Sequence, residues 1–241
     1  MNNQQNKSAK LPNPGSDGNQ PGSDPHPIQI TRSSQIKDHV SRFLGPVESI
    51  QHESLSDRLQ LDLLHIEPTA DWPYHRLVTA GMSSVAMTLP EQVSVSPYLE
   101  LVMTLPEYWK VSADGSADEH WYWPINQLKF LAGFPLHFDT WLGYGHTVPN
   151  GEPPEPYHES TQFSGVILLP SVTVDSRFHQ MQLDETRSVQ FLSVVPLYPE
   201  EIALKLKQGA DALTKRFDQR EITDIVDPDR VNVSRKRFGL F

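Results

Sequence analysis

The sequence predicts an α+β domain built on a mainly antiparallel or mixed sheet flanked by helices. Segments with period-two apolar alternation outnumber segments with helical spacing, and the helical segments fall between groups of strands without regular βαβ alternation. A 241-residue chain that is 37% hydrophobic also holds enough apolar side chains for a real core. Residues 1–30 stand apart. LPNPGSDGNQPGSDPHP offers almost nothing to bury, so this stretch is expected to be a disordered tail. The domain is expected over residues 31–231, followed by a short basic tail at 232–241.

The elements follow in order. Ile36, Val40, Phe43 and Leu44 have helical spacing behind Ser33 and Ser34, which suit an N-cap, and Gly45-Pro46 supplies a stop. Leu59 to Ile66 alternates as a half-buried strand does, and Tyr74 to Thr79 reads as a second strand, stopped by Ala80-Gly81. Tyr98 to Leu105 repeats the pattern, with Leu99, Leu101, Met103 and Leu105 on one face and Glu100 and Thr104 on the other. Pro124 suits the first turn of a helix carrying Ile125, Leu128, Leu131 and Ala132, which should close before Pro135. Trp141 to Pro170 is read as a long, ordered loop that runs into a strand at Val166–Leu169; its prolines exclude helix, and Trp141, Tyr144 and Tyr157 would be costly to leave in water. Val189 to Val195 forms a strand ending at Pro196. Pro199 then opens a helix with Glu200 and Glu201 at its positive end, and Gly209 either kinks it or divides it in two.

Composition excludes several chemistries. A net charge of −10 disfavours nucleic acid and would steer a basic partner towards the chain. With no Cys there is neither disulfide nor thiolate metal site, and no apolar run approaches a bilayer span. MNNQQNKSAK lacks the apolar core of a secretory signal, which makes the cytoplasm the default location. The ten His residues form no HExxH or HxH spacing, so no cofactor is expected; the one metal constellation worth weighing is His137, Asp139 and His146, as a metal-assisted hydrolase. No GxSxG elbow or phosphate-cradling glycine motif is present. Trp109 and Trp123 read as core. For Trp121, Trp141 and Tyr144, packing and partner binding remain equally open.

Six segments occur together in a telling order: LVTAGMS (Leu77–Ser83), a strand ending in LPEYW (Tyr98–Trp109), YWPINQLKFLAGFP (Tyr122–Pro135), GHTVPNG (Gly145–Gly151), VVPLYPEEIALKLKQGADAL (Val194–Leu213) and DIVDPDR (Asp224–Arg230). From about Ser33 to Val231 the chain resembles the bacterial branch of the suppressor of fused family. The resemblance implies a fold similar to the N-terminal lobe of the animal protein and a non-catalytic, protein-binding role. Animal members clamp a zinc-finger transcription factor between two lobes; a 241-residue chain is not expected to hold the second lobe, so the clamp is not carried over. The acidic residue that helps animal members grip their partner, just before the loop His, has no counterpart in Tyr144-Gly145-His146. Bacterial relatives of this kind resemble immunity proteins that neutralise a toxin. The expected partner is therefore a protein, with a basic toxin domain the leading candidate and a housekeeping partner the other. The residues expected to meet it are Trp121, Trp141, Tyr144, His146, Asn150, Glu152 and Glu155.

Overall fold

The computed structural model describes residues 27–112 and 118–235, so the expected tail falls outside the described residues up to residue 26, as does most of the basic end. Among the described residues the α-helices are α1 (Pro27–Leu44), α2 (Glu119–Phe138), α3 (Pro199–Gln208) and α4 (Ala210–Asp218). The strands are β1 (Ser49–Ser56), β2 (Leu59–Ile66), β3 (Tyr74–Ala80), β4 (Tyr98–Pro106), β5 (Thr147–Pro149), β6 (Gly165–Leu169), β7 (Gln180–Gln182) and β8 (Ser188–Leu197). They form one mixed sheet in the order β1-β2-β3-β4-β8-β6-β5, with β7 pairing the start of β8 on the flank opposite β4. β4 and β8 run parallel, whereas the remaining named pairs are antiparallel.

Helices cover both faces. Leu61, Leu63, Leu99, Leu101, Met103, Leu192 and Val194 point towards α2 and its Trp123, Leu128 and Leu131. On the opposite face, Leu64, Ile66, Val78, Val102 and Phe191 meet Ile36, Val40 and Leu44 of α1. Further along that face, Ile167, Leu169, Val195 and Leu197 meet Ile202 of α3 and Leu213 and Phe217 of α4. This double cover corrects the half-buried reading of the central strands. Glu100 and Thr104, expected on a polar face, are sealed from solvent.

Proline misleads the sequence reading three times. α2 starts at Glu119, where the Asp118 side chain accepts from His120 N, and runs through Pro124 and Pro135 to Asp139, whose φ of 48° ends it. Each interior proline forfeits one backbone bond, but both are buried against the sheet with Trp123, Leu128 and Leu131, and that packing holds the helix together. β8 likewise continues through Pro196 to Leu197. The Leu197 carbonyl accepts from Ser164 N on the β6 side, so Pro196 faces the other way, past the last β4 pairing at Ser193, where no ladder bond is forgone.

Other differences are smaller. α1 begins before the serines expected to cap it; Ser33 instead donates to Asp62 Oδ2 of β2 at 2.6 Å. Gly209, at φ 87°, divides the late helix into α3 and α4. Gly81, at φ 128°, lies so close to the Gln60 carbonyl that any Cβ would collide with it. The strands β1, β5 and β7 were not anticipated, and β5 lies inside the segment expected to be loop.

Candidate partner-binding surface

The segment from Trp141 to Pro170 is held by its backbone. Gly145 N donates to Leu168 O, Leu168 N to His146 O, Asn150 N to Ser164 O and Tyr157 N to Phe163 O. Asn150 also donates through Nδ2 to Glu155 O at 2.8 Å, and Glu155 N returns a bond to Asn150 O. Asn150 is therefore a brace for the acidic turn. Glu152, joined to Pro153 by a cis peptide, and Glu155 are both exposed.

Among the seven residues expected to meet a partner, direct contacts join Trp141 to His146 and Asn150 to Glu155. Trp121 is half-buried edge-on to Trp109, with their ring centroids 5.2 Å apart, and Lys110 lies over its face. Trp141 is half-buried against the core and packs edge-to-face on His146 at 4.2 Å. Burial lowers the His146 pKa, Lys205 pushes the same way, and a backbone contact to Trp141 opposes them. Trp109 and Trp123 are core residues, and Tyr157 stacks on Trp123 at 5.1 Å.

Tyr144 alone of the aromatics in this segment projects into solvent, with 55% of its surface exposed. It stands at the rim of a cleft of about 250 Å³ whose walls include Leu169, Val195, Phe217 and Ile222. Val172, 69% exposed, forms another part of the rim, and the carboxylate of Asp218 adds negative charge. An apolar-walled cleft with an aromatic at its edge and an acid beside it has the make-up of a binding hot spot. Sequence reasoning found Tyr144 but not Val172 or Ile222, because nothing local marks a valine in Ser171–Val174 as exposed. A second groove, about 610 Å³, runs between the β1–β2 hairpin and α2, where Phe130, Phe134 and Phe138 follow one another at helical spacing. That spacing was legible in LKFLAGFPLHF.

Other signature segments serve the interior. Glu100 accepts from Thr79 Oγ1, Gly81 N, Ser83 N and Ser83 Oγ at 2.6–3.0 Å, which ties LVTAGMS to β4. Burial raises its pKa, and these four donors oppose the rise. Asp224 accepts from Ser171, Val172 N and Ser193 at 2.7–3.0 Å. Arg230 forks onto Glu201 at 2.8 and 2.6 Å, reaches the Pro196 carbonyl, and lies over Phe163, Tyr198 and Phe217. Glu201 is thus more than a helix-end charge: it anchors DIVDPDR onto α3.

The hydrolase alternative fails on geometry. Asp139 bonds Thr88, His146 packs on Trp141, and His137 is exposed beside Phe138. Among the described residues, the group of three whose ligand atoms converge is instead His65, Glu67 and His75. No helix among the described residues is long and apolar enough to cross a membrane.

A mixed sheet with α2 on one face and α1, α3 and α4 on the other defines an α+β class already represented among solved structures. A suppressor of fused homologue from Neisseria gonorrhoeae superposes with a TM-score of 0.63 at 16% identity, covering 86% of this chain and 99% of that one. A Sufu–Fu complex gives 0.59 at 13% identity, with 84% and 92% covered. Drosophila Suppressor of Fused gives 0.51 at 13% identity, with 73% of this chain and 43% of that one covered. No curated protein matches the chain. The family model for suppressor of fused protein matches residues 57–231. The chain belongs to the suppressor of fused family.

Proposed function

We propose that this chain is a non-catalytic protein-binding domain acting in the cytoplasm as an immunity protein, which neutralises a toxin by covering its basic catalytic domain. The observation that carries this reading is the apolar-walled cleft rimmed by exposed Tyr144 and Val172. Burying an aromatic anchor and its surroundings supplies affinity, and an acid such as Asp218 selects a basic side chain on the partner. The net charge of −10 accelerates encounter with a basic domain. Family membership supports a protein partner, since one member has been solved in complex with Fu.

The test is co-expression with the toxin-like product of an adjacent gene. Wild type should rescue growth and co-purify with the toxin, whereas Tyr144→Ala and Val172→Asp should do neither. A toxin left fully active by the wild-type chain would end the immunity reading. Stable capture of a housekeeping protein, with no toxin gene nearby, would replace it with that of an interaction module.

A further inference from the structure

We propose that His65, Glu67 and His75 form a divalent transition-metal site, and that zinc is the ion they fit. Strand register brings them together. His65 of β2 pairs with Leu77 of β3, so His75, two residues before Leu77, lies diagonally across on the same face of the sheet. Glu67, two residues beyond His65, completes the group from its solvent side, with 53% of its side chain exposed. The imidazoles are buried, at 7% and 8% exposure.

The distances suit one shared ion. His65 Nε2 lies 3.0 Å from His75 Nδ1, and His75 Nδ1 lies 3.4 Å from Glu67 Oε2. Ligands held tetrahedrally at zinc's usual bond lengths stand about 3.3 Å from one another. Proton positions point the same way. His75 Nε2 is 3.2 Å from Glu107 O, which can only accept, so the proton of the neutral ring sits on Nε2. The lone pair on His75 Nδ1 then faces His65 Nε2 and the Glu67 carboxylate, so an ion bound between them would take the place of the proton that His65 Nε2 donates to it. A metal-bound His commonly holds its second N–H on a backbone carbonyl in this way. His65 has a matching device, with Nδ1 3.4 Å from Ser49 Oγ. When Nε2 takes the metal, the ring proton shifts to Nδ1, where Ser49 can receive it. Three ligands leave a fourth position for water on the Glu67 side.

Short-motif reasoning could not find this site, because its two His ligands come from neighbouring strands and sit ten residues apart. The experiment is calorimetric titration of the tag-free full chain with zinc, repeated with Glu67→Ala and His75→Gln. Wild type should bind one ion per chain and melt at a higher temperature with zinc but not with magnesium. Each variant should lose about tenfold or more in affinity. Glu67 is exposed, so its variant should keep the wild-type circular dichroism even if the buried His75 variant does not. Absence of zinc binding at micromolar concentrations would overturn the proposal. So would a folded Glu67→Ala chain that binds as tightly as wild type, since the ion would then sit on others of the ten histidines.

Discussion

Two regions meet at Phe217 and use it in opposite ways. On one side its ring lies 5.2 Å from the Arg230 guanidinium, within a lock whose Arg230 and Glu201 side chains are 6% and 0% exposed. On the other it walls the Tyr144 cleft, whose rim residues stand open to solvent. The lock satisfies its own charge with a forked ion pair and a carbonyl. At the cleft, Tyr144 and Val172 stay exposed beside walls that belong to the core. The difference separates residues that hold the fold from residues the fold leaves exposed. Several segments that carry the family resemblance belong to the first kind, which is why the resemblance locates the fold more firmly than the function.

Breaking the lock should have the largest effect. Arg230→Ala strands the fully buried Glu201 carboxylate and removes cover from three rings, and should cost about 4 kcal/mol in denaturant unfolding. Glu100 offers a second sealed network for the same comparison. Glu100→Ala leaves the donors from Thr79, Gly81 and Ser83 without their acceptor and should cost about 3 kcal/mol, with Glu100→Gln losing less. If either alanine variant unfolds like wild type, these networks do not hold the fold.

The open side should respond in reverse. Tyr144→Ala should change stability by less than about 0.5 kcal/mol, yet weaken partner binding by about 2 kcal/mol, read by calorimetry as roughly thirtyfold. A large stability loss would make Tyr144 a fold residue and erase the contrast.

Acid should act most mildly. His39, whose Nε2 lies 3.0 Å from the Phe178 carbonyl, has its pKa lowered by burial, with that carbonyl opposing and Arg42 adding to the fall. The His146 pKa is also lowered, so both bind fewer protons folded than unfolded, and their contribution is lost as pH falls below about 6.5. Glu100 runs the other way: its raised pKa gives stability that is present at low pH and lost as pH climbs above its unfolded value. Thermal melts from about pH 7 to about pH 5 should therefore fall more steeply in Glu100→Gln than in wild type. Equal slopes would mean that Glu100 does not titrate in opposition to the histidines.

Legibility followed the range of the forces involved. β2 and β4 were readable because Leu59, Leu61 and Leu63, and Leu99 through Leu105, alternate strongly enough to signal a strand unaided. The strands β1, β5 and β7 were not, because SIQHESLS, TVP and QMQ are short or polar and are strands through their partners' hydrogen bonds. Pro124, Pro135 and Pro196 read as boundaries in the sequence, although a proline ends an element only where its missing donor or its ring is not accommodated. At the candidate surface Tyr144 could be nominated from its neighbours, whereas Val172 and Ile222 come together only through tertiary packing, and the His65–His75 pair only through the sheet.

The proposed partner surface is the Tyr144 cleft, and not the sealed lock or the α2 groove. Growth rescue against the neighbouring gene's toxin tests it most directly, comparing wild type with Tyr144→Ala, Val172→Asp and, in the α2 groove, the exposed Phe138→Asp. Both cleft variants should fold normally and lose protection while Phe138→Asp still protects. Full protection by the cleft variants, or its loss only in Phe138→Asp, would contradict this assignment.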